Sequence, residues 1–201
     1  RRFILEKVNA KELIVKYNVQ KGDIIRIYNP RDGILIAKTQ VTRAKYLGDN
    51  KMLITLKDEI DSDIQVGENK INDLLYIDTR SSESFVFKNN TFRNARRYGM
   101  LLQSSFGLIE RNVFENLSQS AISIYNGVDW GEGFAGHNIM IKTNLIKNCG
   151  FDKKFNEDPA AATIKLRVNK LKDITRKTKW KGVETASWQG LESISIINNI
   201  I

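Results

Sequence analysis

The chain has 201 residues, of which 41% are hydrophobic and 27% charged, as expected of one folded domain with or without a small insertion. A single cysteine and a single histidine argue against an internal disulfide framework, a cysteine- or histidine-rich metal site and a Ser-His-Asp triad, so we expect no metal and no cofactor. No apolar run approaches the roughly 18 residues of a membrane span, and the N-terminus does not resemble a signal peptide.

The first third of the chain predicts short strands separated by turn residues. Five β-prone runs occur there, at Lys21–Tyr28, Gly33–Ala37, Thr39–Leu47, Lys51–Leu56 and Leu74–Ile77. The sequence Gly-Asp-Asn at residues 48–50 predicts a hairpin turn between two of them. We interpret residues 20–77 as a small antiparallel β-barrel or meander that is inserted into a larger unit. That larger unit is predicted to comprise residues 1–19 and 78–201.

A repeated pattern dominates the larger unit. An asparagine with an apolar residue three positions before it and another two positions after it occurs at Asn90, Asn112, Asn144 and Asn199. The apolar residues before the asparagines are Phe87, Ile109, Ile141 and Ile196, and those after them are Phe92, Phe114, Ile146 and Ile201. A leucine-rich repeat is disfavoured, because its L-x-x-L-x-L pattern and helix-length segments are missing.

A second strand follows each of the first three repeats, at Gly99–Gln103, Ala121–Tyr125 and Ala162–Arg167. Short strands with a period of about 20 residues are typical of a solenoid whose coils stack and align their apolar residues. Asparagine tolerates left-handed backbone and bonds to neighbouring backbone groups, which suits a repeated tight corner. We therefore predict an all-β, right-handed parallel β-helix. Because the last repeat stops as it begins, we expect the chain to be part of a longer solenoid.

The loop Asn126–His137 is the strongest candidate for function. It places Asp129 and Glu132 beside Trp130, among four glycines. An exposed tryptophan can cover the apolar face of a sugar while carboxylates bind its hydroxyl groups, and glycoside hydrolysis needs two carboxyl groups. The alternative is that Trp130 fixes the loop to the core and that the carboxylates are solvated.

Two further segments supply candidate residues. The insertion Phe151–Pro159 carries Glu157 and Asp158, and the long loop Val168–Gly190 carries Glu184. If the coils stack in register, the loops after Tyr125 and Arg167 must be neighbours. Catalytic candidates are Asp129, Glu132, Glu157 and Asp158, and substrate-binding candidates are Trp130, Asn126, Arg97, His137 and Arg167.

The positive charge is concentrated in one segment. Residues 168–182 contain six basic side chains and one aspartate, whereas the net charge of the whole chain is +9. Such a distribution argues against nucleic-acid binding by a broad basic face. Either the segment is a solvated loop, or its positive charge attracts an anionic ligand to this part of the surface.

The sequence resembles a known enzyme family. The segment from Arg97 to Ile124, followed by Trp-Gly-Glu at residues 130–132, is similar to the β-helical α-1,3-galactosidases of glycoside hydrolase family 110. The segment Lys21–Tyr28 resembles the barrel that those enzymes insert into their helix. The resemblance implies a secreted or periplasmic inverting enzyme that removes terminal α-galactose.

Three functions stay open at this point. The first is a glycoside hydrolase that acts on an oligosaccharide or polysaccharide through a carboxylate pair. The second is a polysaccharide lyase in which the basic loop attracts an acidic polymer, and the third is a glycan-binding β-helix without catalysis. No nucleic acid or membrane span is expected, and the sequence does not predict an oligomeric state.

Overall fold

The computed structural model describes residues 2–6, 19–48, 51–66, 72–81, 83–128, 133–134, 136–152, 162–171, 183–187 and 190–201. These residues form seventeen β-strands and one 3₁₀ turn, Asp78–Arg80, and contain no α-helix. No helix among them is long and apolar enough to cross a membrane. The prediction of an all-β chain is therefore confirmed.

The first five strands form an antiparallel sheet in the order β1-β4-β3-β2-β5. They are β1 (Arg2–Glu6), β2 (Ile24–Asn29), β3 (Ile34–Gly48), β4 (Lys51–Leu56) and β5 (Leu74–Ile77). One side of the sheet packs a core of alternate apolar residues that includes Ile25, Ile27, Val41 and Ile54, as expected for strands with one buried face.

β1 corrects one predicted boundary. It pairs with β4, from Arg2 opposite Thr55 to Glu6 opposite Lys51, so it belongs to the antiparallel sheet and not to the coils assigned to residues 1–19. A five-residue strand with three consecutive apolar residues fits the edge of either kind of sheet, so only its partner strand shows where it belongs. Residues 7–18 lie outside the described ranges, and the division of the chain into an insertion and a helix stays a prediction.

After β5 the sheets become parallel. Their strands are β6 (Glu83–Lys88), β7 (Thr91–Ala95), β8 (Met100–Leu102), β9 (Ser105–Glu110), β10 (Val113–Leu117), β11 (Ile122–Tyr125), β12 (Ile139–Lys142), β13 (Leu145–Cys149), β14 (Ile164–Arg167) and β17 (Ile194–Ile197). They form three sheets in the orders β13-β10-β7, β14-β11-β8 and β17-β12-β9-β6. A short antiparallel pair, β15 (Asn169–Leu171) and β16 (Val183–Thr185), follows β14. Three successive coils each contribute one strand to each sheet and β17 adds a fourth strand to the last, which confirms the parallel β-helix.

The aligned apolar positions stack as the repeat predicts. Phe87, Ile109, Ile141 and Ile196 are in register across β6, β9, β12 and β17. The rings of Phe92 and Phe114 lie parallel on neighbouring coils, with their centroids 4.9 Å apart. Each fully buried side chain of this size stabilises the fold by about 1.5–3 kcal/mol.

The four repeated asparagines form an internal ladder. The backbone N–H groups of Asn90, Asn112 and Asn144 each donate to the side-chain Oδ1 of the next asparagine, over 2.9–3.0 Å. Their separations along the chain are 22, 32 and 55 residues, so the irregular spacing of the repeats reflects insertions between coils. The left-handed residue of each corner is the one before the ladder asparagine, namely Asn89, Arg111, Thr143 and Asn198.

An aromatic cluster joins the antiparallel sheet to the coils. Phe134 contacts Tyr28 and Tyr76 of the sheet, with ring centroids 5.4 and 4.9 Å away, and the Arg26 guanidinium lies 5.2 Å from its centroid. Val168 belongs to the same cluster. The antiparallel sheet therefore packs against the connections that follow β11 and β14.

Candidate functional site

Side chains on the outer surface of the β14-β11-β8 sheet form the candidate site. Ile122 and Ile124 of β11 point into the core, so the alternate residues of the same strands point outward. The strand register places Ser123 between Leu101 and Lys165, and Tyr125 beside Arg167. We call these five outward residues the outer face.

Most of the outer face is unusually buried for the outside of a solenoid. Ser123, Lys165, Tyr125 and Arg167 have exposed fractions of 0, 4, 6 and 9%, whereas Leu101 is 42% exposed. The Lys165 Nζ lies 6.0 Å from the centroid of the Tyr125 ring. Buried cations persist only where other groups compensate for the water that they lose. The outer face is thus a polar, positively charged surface that is largely covered at Ser123, Lys165 and Arg167 and reaches solvent at Leu101 on β8.

A reciprocal asparagine pair connects the loops after β11 and β14. Asn126 accepts from the Asn169 N–H at its Oδ1 (2.6 Å) and donates from Nδ2 to the Asn169 carbonyl (3.1 Å). Asn169 returns the bond from its own Nδ2 to the Asn126 carbonyl (3.1 Å) and accepts at its Oδ1 from the Arg167 Nε. The expectation that these two loops are neighbours is confirmed at their first residues. Since the Asn126 amide is committed to buried bonds, we expect it to position the loops.

Tyr28 of β2 completes this network. Its hydroxyl donates to the Asn169 carbonyl over 2.7 Å, and burial raises its pKa to about 12. The phenol is therefore neutral and a stable donor at any physiological pH. Through this bond the antiparallel sheet helps to fix the end of the outer face.

The loop with the predicted carboxylates is closed at its base. The Gly127 N–H donates to the Gly133 carbonyl (3.1 Å), and the Gly133 N–H donates to the Gln103 Oε1 (3.1 Å). A Cβ atom at Gly133 would lie 2.9 Å from the Gln103 backbone oxygen, so this approach requires glycine. The segment with Asp129, Trp130 and Glu132 thus leaves and re-enters the described chain at the carboxyl ends of β8 and β11. Those three residues themselves lie outside the described ranges.

A described anchor at the opposite edge of the sheet precedes the second pair of predicted carboxylates in the sequence. The chain after β13 is fixed there by the Asp152 N–H, which donates to the Ser118 carbonyl over 2.9 Å. Glu157 and Asp158 follow Asp152 but lie outside the described residues. Arg97 is exposed and precedes β8, at this same edge. β11 and β14 have four residues each and span about 13 Å, so the described anchors at Gly133 and Asp152 lie at the two ends of the sheet.

His137 lies at the next corner of the coil, apart from the outer face. Its N–H donates to the Ser105 Oγ (3.1 Å), and its Nδ1 is 3.0 Å from the Asn138 Nδ2. An amide NH₂ group can only donate, so Nδ1 accepts and the neutral ring carries its proton on Nε2. Burial, followed by the positive charge of Arg26, lowers the pKa of His137.

Phe106 is a feature that the sequence reasoning missed. Its ring is 48% exposed and meets His137 edge to face, with centroids 5.1 Å apart. Its φ of 56° is left-handed, a conformation that costs a residue with a Cβ roughly 1–2 kcal/mol. At the matching corner of the other coils stand Ser84, Asn138 and Ser193. The available sequence signal for this feature was an aromatic residue at a corner position where the other coils have serine or asparagine.

The other candidates have simpler surroundings. Arg167, a predicted substrate ligand, lies on the outer face, but it is almost buried and its Nε donates to the Asn169 Oδ1, so its role stays a prediction. Its neighbours Ser123, Tyr125 and Lys165 were not predicted, although alternation along the predicted strands identifies them. Glu184 lies on β16, with its Oε2 3.8 Å from the Lys170 Nζ, and not on the outer face. Within the described part of the chain no three His, Cys, Asp or Glu residues are grouped so as to hold a metal ion.

Comparison with known proteins agrees with this architecture. Residues 73–201 match the family model described as the right handed beta helix region, so the chain belongs to that family. Over 152 residues, 75% of the chain, it is 27% identical to alpha-1,3-galactosidase A of Bacteroides thetaiotaomicron. The chain spans about a quarter of that relative, 26% of its length. The predicted fold and the resemblance to a β-helical galactosidase are both confirmed.

Proposed function

We propose that this member of the right-handed β-helix family is a glycoside hydrolase that binds an α-galactosyl glycan at the outer face. The observation that supports the proposal is the polar outer face, since the described residues that precede the two segments with the predicted carboxylates lie at its two ends. The similarity to a relative named alpha-1,3-galactosidase A supports the same substrate class. A secreted or periplasmic location belongs to this proposal, because such glycans are found outside the cytoplasm.

The proposed chemistry uses one carboxylic acid and one carboxylate. An inverting enzyme protonates the leaving oxygen with the first and activates a water molecule with the second, across roughly 6.5–9.5 Å. Asp129 and Glu132 are the proposed pair, with Glu157 or Asp158 as the alternative second member. The charges of Lys165 and Arg167 favour the ionised form of a carboxyl group that approaches the outer face, which suits the base. Trp130 is proposed to cover the apolar face of the sugar.

Activity towards chromogenic α- and β-galactosides tests the proposal. We expect cleavage of the α-galactoside, and a loss of roughly 10²–10⁴-fold in kcat when an essential carboxyl is replaced in Asp129→Asn, Glu132→Gln, Glu157→Gln or Asp158→Asn. Glu115→Gln is the matched control, because Glu115 lies on β10 and pairs with Arg93 over 3.0 Å, away from the outer face. Thermal unfolding of each variant shows that it is folded. Full activity in all four carboxamide variants would contradict the proposed mechanism.

A polysaccharide lyase is the second candidate, and Lys165 and Arg167 are the observation that favours it. A basic residue on a β-helical sheet could remove the proton next to the carboxylate of a uronic acid, and the basic segment after Arg167 would attract the polyanion. Incubation with polygalacturonate and alginate distinguishes the two enzymes. A lyase produces an unsaturated sugar that absorbs in the ultraviolet, whereas a hydrolase produces reducing ends without that absorbance. Glycan binding without either product would favour the third function, a non-catalytic binding protein.

A further inference from the structure

We infer that Phe106 and His137 form a second sugar subsite, in which the Phe106 ring stacks on a pyranose next to the residue that is cleaved. This inference rests on the proposed function, since it extends the glycan-binding surface from the outer face to the neighbouring corner of the coil. If it holds, the protein binds an oligosaccharide better than a single sugar with a small leaving group.

The first argument is the position of the ring in the fold. The corner occupied by Phe106 is built from left-handed residues in successive coils, and the others are Ser84, Asn138 and Ser193. Asparagine adopts this conformation readily, whereas a bulky aromatic residue rarely does. The side chain is nevertheless 48% exposed, so packing in the core does not compensate for the strain. The corner itself is a regular feature of the coils, so this position differs from the others by a half-exposed aromatic ring where they have serine or asparagine.

The second argument is the distance to the loop of the proposed site. Three peptide units separate Phe106 from Gln103, so their Cα atoms are within roughly 11 Å. Gln103 binds the base of the carboxylate loop through the Gly133 N–H, and the Phe106 N–H donates to the His137 carbonyl over 3.0 Å. The corner that carries Phe106 is therefore bonded to Gly133 at one end of the loop and to His137 at the other.

The third argument is the chemistry around the ring. His137 meets Phe106 edge to face at an interplanar angle of 85°, which holds the Phe106 ring in place. The neutral imidazole carries its proton on Nε2, because the Asn138 amide donates to Nδ1. An apolar ring with a few polar groups at its margin is the usual lining of a small-ligand site. Sugars present an apolar face and a rim of hydroxyl groups, and they fit this combination.

The test uses Phe106→Asn, with Val86→Asn as the matched control. Val86 is apolar and 64% exposed, but it lies on β6 in the first coil. Calorimetric titration with galactose and with an α-galactosyl trisaccharide measures binding, and an aryl α-galactoside measures turnover. We expect Phe106→Asn to weaken trisaccharide binding by roughly 3- to 10-fold. Its melting temperature should not fall, because asparagine suits a left-handed corner. Galactose binding, aryl-galactoside kcat and the Val86→Asn variant should be unchanged.

The outcomes separate this inference from the proposed function. If the unaltered protein cleaves and binds α-galactosides but Phe106→Asn binds the trisaccharide equally well, the subsite is wrong and the hydrolase stands. If the trisaccharide binds without being cleaved and Phe106→Asn weakens that binding, the subsite is supported and the hydrolase is contradicted. If neither galactose nor the trisaccharide binds, both are overturned.

Discussion

Replacement of Asn126 by alanine tests whether this residue positions the loops of the site or binds substrate. The substitution removes the acceptor for the Asn169 N–H, over 2.6 Å, and one donor to the Asn169 carbonyl, over 3.1 Å. Asn126 and Asn169 are almost completely buried, so water does not replace the lost groups. The two loops and the antiparallel sheet would then be joined by fewer bonds.

The magnitude follows from the partners left behind. The buried Asn169 N–H loses its acceptor, which costs about 1–3 kcal/mol. The Asn169 carbonyl still accepts from the Tyr28 hydroxyl, so the loss of its second hydrogen bond costs only about 0.5–1.5 kcal/mol. The bond from the Asn169 Nδ2 to the Asn126 carbonyl uses the backbone and survives. We therefore expect a decrease of about 3 kcal/mol in the free energy of unfolding.

Urea unfolding measures this decrease, with Asn90→Ala as the control. Asn90 is at the exposed end of the ladder, and its Nδ2 donates to the Lys88 carbonyl and to the Asn112 Oδ1. The Asn112 Oδ1 keeps the backbone N–H of Asn90 in the variant and water can substitute for the rest, so we expect a loss below about 1 kcal/mol. Activity at a temperature where both variants are folded completes the test. Unchanged stability of Asn126→Ala together with weaker substrate binding would refute the positioning role and restore Asn126 as a substrate ligand.

Two further predictions concern the helix and its corner. Asn144→Ala should lower the free energy of unfolding by about 4 kcal/mol in the same urea assay, because it removes the acceptor of the buried Asn112 N–H and Nδ2 and the side-chain donor to the Ile109 carbonyl. A loss below about 1 kcal/mol would show that the internal ladder is not stabilising. In the folded state, burial lowers the pKa of His137 below its ordinary value of 6.5. As the pH falls, the unfolded chain therefore binds a proton at a higher pH than the folded chain does. The contribution of His137 to stability is thus complete above about pH 6.5 and is lost below it; the urea midpoint of His137→Gln should fall less steeply between pH 7 and 5, and an identical slope would contradict this assignment.

Local sequence was sufficient to predict the coils. The inward residues Ile109, Phe114 and Ile141 recur at fixed offsets from a buried asparagine, and each coil must place them inside because it cannot bury them alone. The repeat predicts asparagine at a left-handed corner, whereas the left-handed residue is the one before it and the asparagine Oδ1 accepts from the asparagine of the preceding coil. Insertions change the spacing but leave this alignment intact.

The sheet to which β1 belongs and the burial of the outer face depend on distant parts of the chain. The sequence of β1 fits a strand in either sheet, and only its partner β4 places it in the antiparallel unit. Lys165 and Arg167 alternate with apolar residues like ordinary surface cations. Their burial depends on what packs over the β14-β11-β8 sheet, which no pattern within β14 reveals.

The sequence by itself determined that this chain coils and which residues line the interior, because burial of each repeat is a local requirement met in the same way every time. Only the tertiary structure decided which part of the exterior is recessed, that Asn126 is held by Asn169, and that Phe106 stands strained and exposed beside His137. These features arise where coils, loops and the antiparallel sheet meet, and contacts across such long separations leave no periodic signal in the sequence.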